Sequence, residues 1–489
     1  MKKLFCILFI FPLIPLCLSG APTNYTYNYD YWEEQVASPD AYRVSQYILG
    51  SSLGIGHFRD PQGLFIRDNR IYVCDSGNNR IVIIELQENG EHVVSKVVTS
   101  ILIDGEESNL NYPMDLFECR EGFIYIADTN NKRMLKLDSE WNHLFSIYRP
   151  DDESIDEFIE FEPLKVVVDF ADRIFVQVRN VNKGLMEFDS RGGFSGYMGA
   201  NKVTFKLVDY VWRIFSTQAQ RDRQNLFIPT EYNNLYLDND GFIYVTNSAL
   251  TEIRNLTKDS SGHPIRRLNA MGQDILIRNG YKPPVGDLAY GTAGGVSGIS
   301  RFIDVVAFDN DSYACFDRTR GRIFIYDFQG NLLYAFGGLG NREGYFQIPT
   351  ALDRMGKALY ALDSRSAAVT RFDLTVYGEK INSALDEYKA GRYETSAVIW
   401  DDVLKMNGNY DLAYIGIGRA ALRQGEYSKA MGYYKLKHFR EGYGKAFQLY
   451  RKQWMEENLW KIVLILAVII LIPPLVKLSI KTIKEIREA

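Results

Sequence analysis

The chain has 489 residues, enough for two or three domains, and 46% of them are apolar, so it can bury a large core. Its formal net charge is −5, which argues against a nucleic-acid-binding surface, because such surfaces usually need a basic domain. Aromatic residues make up 13% of the chain, a share that favours strands packed through tyrosine and phenylalanine.

The first twenty residues have the pattern of a secretory signal. Lys2 and Lys3 form a charged start, residues 4–18 are mostly apolar, and small residues suited to cleavage begin at Ser19. We therefore assign residues 1–20 to a signal peptide and expect the domain that follows to be exported.

Three cysteines follow this segment: Cys74, Cys119 and Cys315. Their odd number and wide spacing argue against a disulfide framework. Each lies in an apolar, strand-like run, where a free cysteine behaves as a small hydrophobic residue. We expect all three to be free and buried.

An apolar strand that ends in a turn recurs six times along the middle of the chain. Each copy is followed by polar turn residues and then by a second apolar strand. Strands that repeat in this way predict four-stranded blades arranged around an axis, which is the β-propeller architecture. The aromatic residues at the centres of the six copies are Tyr72, Tyr125, Phe175, Tyr244, Tyr313 and Tyr360.

Two of the copies carry a recognisable motif. Residues 57–86 contain Phe-x-x-Pro, a first strand, and then Tyr-Val-x-Asp-x-x-Asn-x-Arg, and residues 112–138 repeat the pattern. Both closely resemble the NHL repeat, and the other four copies resemble it in part or loosely. The resemblance implies a mainly β fold with a six-bladed NHL-type propeller over residues 42–378. It says little about function, because propellers of one type serve many functions.

The sequence also predicts how the ring closes. The last copy stops after Asp373 without an outer strand, whereas residues 47–61 have the same pattern as residues 334–349, an outer strand that leads into the next blade. We therefore expect residues 42–49 to complete the sixth blade and to leave no open edge.

Two of the intervals between copies are long and hold insertions. Residues 201–225 include an apolar run at helical spacing, 205–215, which we expect to cap one face of the propeller or to face a membrane or partner. Residues 258–300 end in a glycine-rich stretch, 291–298, which we interpret as a flexible loop. It does not lead from a strand into a helix, so it does not fit a phosphate-binding loop.

The pattern becomes helical at about residue 381. Residues 388–400 and 422–434 align with each other at an offset of 34, which is the period of TPR repeats. We assign residues 381–458 to a TPR-like helical region. It is expected to pack on the propeller or on a membrane partner, and a simple spacer is the alternative.

An apolar stretch without charged residues lies between Lys461 and Lys477. It is short for a hydrocarbon core of about 30 Å, but the flanking lysines can reach the headgroups. Pro473 and Pro474 are expected to kink or unwind its last turns.

We assign residues 459–478 to a transmembrane helix and 479–489 to a cytoplasmic tail, because positive residues favour the cytoplasmic side. The protein would then be a single-pass protein of the cell membrane with an extracytoplasmic N-terminal domain. The tail has apolar residues on one helical face, so it either lies on the inner leaflet or is solvated.

Aligning the first strands identifies a candidate ligand-binding ring at the propeller axis. Asp115, Asn234 and Asp304 offer oxygen atoms that suit calcium, and the arrangement resembles six-bladed lactonases that hold a central metal. Lys165 would repel a cation in the same ring, so we prefer a mixed polar ring and assign no metal or cofactor. The aligned residues are Gly63, Asp115, Lys165, Asn234, Asp304 and Ala351.

Other chemistry is not apparent in the sequence. The repeated pattern Asp75-x-x-Asn78-x-Arg80 is interpreted as a structural turn, because Asp and Asn side chains cap backbone groups there. No nucleophile elbow is present, and the histidines lack metal-ligand spacing. The five histidines are His57, His92, His143, His263 and His438.

These features favour a binding or scaffold protein over an enzyme. Membrane-bound NHL-plus-TPR proteins that look like this one occur in bacteria, some associated with sugar ABC transport systems. The resemblance therefore implies an accessory role, with a membrane complex or a solute-binding protein as partner and with a small molecule or glycan as a further ligand class. The alternative is a metal-dependent, lactonase-like hydrolase or lyase. A sensor ectodomain is less favoured, because the tail is too short to hold a signalling domain.

Overall fold

The computed structural model describes residues 26–155, 158–199, 232–247, 263–280, 282–288, 296 and 298–488. The predicted signal peptide and the predicted insertion helix at 205–215 lie outside these residues, as does most of the glycine-rich stretch. Within the described residues, the chain forms a six-bladed β-propeller followed by five helices.

In blades 1 to 4 the strands follow one another along the chain from the axis outward, and neighbouring strands in all six blades are antiparallel. Two strands, β1 (Thr26–Tyr29) and β2 (Gln35–Ala37), and a third, β3 (Tyr42–Leu49), precede the first blade. Blade 1 consists of β4 (Gly63–Arg67), β5 (Arg70–Asp75), β6 (Arg80–Leu86) and β7 (His92–Val98). A hairpin, β8 (Ser100–Ile103) and β9 (Glu106–Asn109), leads to blade 2, which consists of β10 (Pro113–Glu118), β11 (Ile124–Asp128), β12 (Arg133–Leu137) and β13 (His143–Ile147).

The remaining four blades repeat this plan. Blade 3 consists of β14 (Pro163–Val168), β15 (Ile174–Val178), β16 (Leu185–Phe188) and β17 (Phe194–Met198), and blade 4 of β18 (Tyr232–Leu237), β19 (Ile243–Asn247) and β20 (Ile265–Leu268). Blade 5 contains β21 (Phe302–Ala307), β22 (Tyr313–Asp317), β23 (Arg322–Tyr326) and β24 (Leu332–Gly337). Blade 6 contains β25 (Pro349–Met355), β26 (Ala358–Asp363) and β27 (Ala368–Leu374).

The second strand of a blade is covered by a neighbouring blade on each side. All five residues of β11, β15 and β22 are buried, which explains their nearly continuous apolar sequences. The three cysteines beyond residue 26 are free and buried, as the sequence predicts.

Ring closure occurs as the sequence predicts. β3 pairs with β27 in antiparallel register from Ala368–Leu49 to Leu374–Tyr42, so it forms the outer strand of blade 6. The first and last parts of the propeller are therefore joined by backbone hydrogen bonds, and blade 6 has no open outer edge.

The segment that precedes β3 has a role that the sequence does not predict. β1 pairs with the outer strand β24 and with β2, and it extends blade 5 to six strands. Its position is fixed by Asp287, whose buried carboxylate accepts hydrogen bonds from the hydroxyls of Tyr27 and Tyr29, each at 2.7 Å. The guanidinium of Arg322 lies 2.6 Å from the same carboxylate and balances its charge.

The predicted insertion at 258–300 requires a correction. It contains β20, which pairs with β19 as the third strand of blade 4. The strand was missed because its sequence, Ile-Arg-Arg-Leu, does not show the continuous apolar character of the other third strands. Arg266 and Arg267 alternate in direction, and Arg267 forms an ion pair with Asp238 at 2.6 Å.

The C-terminal region consists of five helices, and the first begins one residue after Thr375, earlier than residue 381. The helices are α1 (Val376–Lys389), α2 (Tyr393–Met406), α3 (Asp411–Arg423), α4 (Tyr427–Leu436) and α5 (Arg440–Glu488). Their assignment to TPR repeats stays a prediction. α5 continues through Pro473 and Pro474, so the helix does not unwind where the sequence predicted it could.

The helices and the propeller share one hydrophobic core. Leu333 and Phe336 of blade 5 and Phe372 of blade 6 belong to the same buried cluster as Trp400 and Tyr410 of the helical region. The cap of α1 adds a backbone connection, because the Thr375 amide donates to the Ala41 carbonyl at 2.9 Å. The helical region therefore packs on the propeller, which was one of the two expected arrangements.

We predict that replacing Tyr410 destabilises both regions together. Its side chain is buried between the rings of Tyr377 and Trp400, and its hydroxyl donates to the Leu333 carbonyl at 2.8 Å. Tyr410→Ala should lower the free energy of unfolding by about 3–5 kcal/mol, which is typical for a buried aromatic residue. Urea unfolding of the full-length protein in detergent, followed by far-UV and near-UV circular dichroism, measures this.

The matched control is Val398→Ala, which removes a side chain that is 65% exposed on α2. Both spectroscopic signals should shift together in Tyr410→Ala and stay unchanged in the control. A shift of the helical signal alone would contradict the shared core.

Candidate functional site

The axial residues predicted by alignment occupy equivalent positions in the structure. Asp115 is opposite Ala127, Lys165 is opposite Gln177, and the other aligned residues also face the second-last residue of their neighbouring strands. The remaining pairs are Gly63–Cys74, Asn234–Thr246, Asp304–Phe316 and Ala351–Leu362. All lie on the innermost strands, so the alignment is correct in register.

The polar side chains of this ring bridge adjacent blades. The Asp115 carboxylate accepts from the Val166 amide of blade 3 at 3.0 Å, and the Asp304 carboxylate accepts from the Leu352 amide of blade 6 at 2.7 Å. The Asn234 amide group donates to the Ile303 carbonyl of blade 5 at 3.0 Å. The free edge of an innermost strand has backbone groups without a strand partner, and these side chains satisfy them.

Gly63 and Lys165 fit the same arrangement. A Cβ at Gly63 would lie 2.5 Å from the Met114 carbonyl oxygen, so only glycine allows blades 1 and 2 to approach this closely. The Lys165 ammonium lies 3.2 Å from the Asp115 carboxylate, and both side chains are buried. Lys165 therefore balances a buried negative charge of the ring.

A third bridging carboxylate belongs to Asp353, which sequence reasoning missed. It accepts from the Ile66 amide of blade 1 at 2.6 Å and from the Arg354 amide at 2.7 Å. Asp353 lies two residues after the aligned Ala351, and residues two apart on a strand point to the same side. This alternation was the signal that could have identified it.

Burial changes the protonation of this ring. It raises the pKa of Asp304 to about 7, although Lys165 and the amides of Leu352 and Val305 act in the opposite direction. Burial likewise raises the pKa of Asp353 to about 7 and raises that of Asp115. Burial lowers the pKa of Lys165, but the nearby carboxylates outweigh this effect, so its pKa is raised. Burial thus favours the neutral forms of Asp304 and Asp353.

The repeated Asp–Asn–Arg pattern is structural, as the sequence predicts. The Asp75 carboxylate accepts from the Arg59 amide at 2.7 Å and from the Asn78 and Arg80 side chains at 2.8 and 2.7 Å. Asp128 makes the equivalent bonds in blade 2. Each aspartate thus ties the turn after a second strand to the loop that leads into the same blade.

No three His, Cys, Asp or Glu side chains converge in a geometry that suits a metal ion, as far as the described residues extend. The oxygen atoms of Asp115 and Asp304 are already occupied by backbone amides or by Lys165. The predicted role of the ring in ligand binding stays a prediction.

A comparison with known protein families supports the NHL-type repeat in blade 1. Residues 58–84, which include β4 and β5 and most of β6, match the family model of the NHL repeat. The chain is thus a six-bladed β-propeller with an NHL repeat. No curated protein sequence matches it.

Several solved structures are similar over much of the chain. A streptogramin B lyase is 11% identical with a TM-score of 0.39, and the match covers 69% of this chain and 100% of that one. Virginiamycin B lyase from Staphylococcus aureus is 11% identical, with a TM-score of 0.38 and coverage of 68% and 100%. The extracellular domain of a putative hybrid two-component system from B. thetaiotaomicron is 12% identical, with a TM-score of 0.36 and coverage of 69% and 43%. Values this low support no conclusion about function.

We predict that the charge of Asp304 makes the protein less stable as the pH rises. Folding raises its pKa from 3.8 to about 7, so its favourable contribution is complete below pH 3.8 and is lost as the pH rises through 7. Asp304→Asn cannot ionise. The free energy of unfolding of the native protein, relative to this variant, should therefore fall by on the order of 2–3 kcal/mol between pH 5 and pH 8.

Urea unfolding of the full-length protein at both pH values measures this difference. Asp151→Asn, which neutralises an exposed loop carboxylate, is the control and should show no comparable pH dependence. An equal difference between native protein and Asp304→Asn at pH 5 and pH 8 would mean that the buried carboxylate does not titrate in this range.

Proposed function

We propose that the protein is a membrane-anchored binding or scaffold protein whose propeller and helical region lie outside the cell membrane, with its C-terminus in the cytoplasm. One helix among the described residues is long and apolar enough to cross a membrane, and it lies within α5, with a mean hydropathy of 2.7 over its most apolar window. The lysine-rich end of α5 supports the cytoplasmic placement of the C-terminus.

The observation that carries this proposal is the core shared by the propeller and the helices. A single buried cluster joins blades 5 and 6 to α1, α2 and α3, and Ala446 at the start of α5 is buried against the same helical region. Beyond Ala446, α5 continues as one exposed helix into the apolar stretch. The start of α5 is thereby packed on the helical region, which in turn packs on the propeller.

An accessory role in a transport complex is the more specific form of the proposal. Between Lys461 and Lys477, α5 has no charged residue, so it offers no polar path for a solute or ion. Such a helix suits an anchor beside a separate permease. We propose a sugar ABC transport system, through its permease or solute-binding protein, as the partner to be tested first.

The metal-dependent hydrolase or lyase receives no support from the described residues. The axial carboxylates and amide that would bind the metal are engaged in bonds between blades.

Cross-linking in native membranes tests the proposal. The full-length protein should recover a transport permease or solute-binding protein at near-equal amount, with cross-links to propeller residues identified by mass spectrometry. The matched control replaces residues 459–478 with an unrelated single-pass helix and keeps the rest of the chain.

Because the partner is expected to bind the exported region, recovery should be equal in the native protein and in the helix-replacement control. Loss of the partner in the control would assign binding to the membrane helix and contradict the proposed role of the propeller. Recovery of neither a permease nor a solute-binding protein would contradict the accessory role.

A further inference from the structure

The first part of α5 leaves the helical region as a helix with bare sides. We call residues 440–458, which precede the assigned membrane span, the stalk. Ala446 is its last buried residue, and every later residue of the stalk is exposed or partly exposed. The exposed side chains include three large aromatic residues, Phe447, Tyr450 and Trp454, whose exposed fractions are 45%, 39% and 48%.

These three aromatic rings form a row. Phe447, Tyr450 and Trp454 are spaced by three and four residues, so they lie on one side of the helix. The ring of Tyr443 stacks on that of Phe447, with centroids 6.3 Å apart, and continues the row toward the helical region. An exposed row of large apolar side chains indicates an interaction surface.

Two arginines lie on the same side of the stalk as the rings. At about 100° per residue, Arg440 and Arg451 fall with the three rings inside an arc of about 100° around the helix. Neither arginine makes a side-chain hydrogen bond or ion pair with another described residue. We call this aromatic and positive surface the stalk stripe. Its residues are Arg440, Phe447, Tyr450, Arg451 and Trp454.

The carboxylates of the stalk do not neutralise the stripe. Glu456 lies 3.9 Å from the ammonium of Lys452, and Glu457 accepts a hydrogen bond from the side chain of Gln453 at 2.9 Å. Glu441 follows Arg440 directly and therefore points about 100° away from it around the helix. The stripe thus offers two free guanidinium groups to a negatively charged partner.

Membrane lipids reach only one end of the stripe. At about 1.5 Å per residue, Trp454 lies about 7 Å along the helix from Leu459, within a headgroup layer about 5–8 Å deep. Phe447 lies about 18 Å and Arg440 about 28 Å from Leu459, and an average helix tilt of about 20° shortens these distances only slightly. Most of the stripe therefore needs a protein to cover it.

A second copy of the chain does not suit the stripe. Two copies anchored in one membrane run in the same direction, so a two-fold contact places each stripe on the identical stripe. Arg451 would then face Arg451 of the other copy, and Arg440 would face its own equivalent. Facing like charges oppose such a contact, so the chemistry of the stripe requires a different, acidic protein.

We propose that the stalk stripe binds a helix of a second membrane protein that continues out of the membrane beside α5 and presents carboxylates to Arg440 and Arg451. This rests on the proposed function, because it takes the membrane anchor as given and names the place at which the partner docks. α5 is one helix from Arg440 to Glu488, so a helix beside it in the membrane can stay beside it along the stalk.

The spacing of the stripe defines the partner's chemistry. The two arginines lie about 16 Å apart along the helix, about three turns, and Phe447 lies between them. The partner helix therefore needs acidic residues about three turns apart with apolar residues between them. Guanidinium groups bind carboxylates with paired hydrogen bonds, which would fix the register of the two helices.

Site-specific photo-cross-linking of the full-length protein in native membranes tests the docking site. A benzophenone amino acid is introduced at position 447, and in the matched control at position 445, where Lys445 is exposed on the opposite side of the helix. Mass spectrometry of the cross-linked peptides should join position 447 to a helix of another membrane protein, with acidic residues within about three turns of the link. Position 445 should give no such product.

Charge reversal tests the role of the arginines in the same assay. Arg440→Glu with Arg451→Glu should lower the yield of the cross-link by about tenfold or more, because carboxylates then face carboxylates. Replacing the facing acidic residues of the identified partner by lysine should restore the yield. Lys445→Glu with Lys452→Glu makes the same charge change on the opposite side of the stalk and should leave the yield unchanged.

Products that join position 447 only to lipid, to a second copy of the chain or to the chain itself would overturn the docking site, as would a yield that charge reversal of the arginines leaves unchanged. A permease or solute-binding protein that is recovered through propeller cross-links, with no product at position 447, would overturn the docking site and leave the accessory role intact. A product with the helix of a membrane protein outside transport would support the docking site and contradict the accessory role.

Discussion

The pairing of β3 with β27 is the contact on which the rest of the molecule depends. It joins the beginning and end of the propeller through backbone hydrogen bonds, so the ring has no open outer edge in blade 6. It also places Ala41 beside Thr375, the residue that caps α1. The strand that closes the ring thereby sets the position at which the helical region begins.

The segment before β3 strengthens the same junction. β1 covers blade 5, and the Asn28 side chain donates to the Leu333 carbonyl, which also accepts from the Tyr410 hydroxyl. Farther along, the ring of Tyr31 lies 4.8 Å from that of His438, near the start of α5. About two dozen residues thus hold the propeller, the helices and the anchor together, and the axial side chains join the blades from inside.

The parts of the fold that repeat could be predicted from the sequence. Periodic strands gave the six blades, the outer strand 42–49 and the register of Asp115, Asn234 and Asp304. Features that occur once could not be predicted in this way. The addition of β1 to blade 5 depends on Asp287, more than 250 residues away, and β20 lacks an apolar pattern. Asp353 lies two residues after Ala351, the aligned position of blade 6, so comparison of the repeats did not identify it.

The central claim is that the propeller and the helical region that packs on it are one rigid body. Spin labels at Val398→Cys on α2 and Leu144→Cys on β13 report on it, because both native side chains are exposed and Cys74, Cys119 and Cys315 are buried. Pulsed electron–electron double resonance on the full-length protein in lipid nanodiscs measures the distance between the two labels. The account predicts one narrow distance distribution. A broad or multiple distribution would contradict it, because it would show that the helices move relative to the propeller.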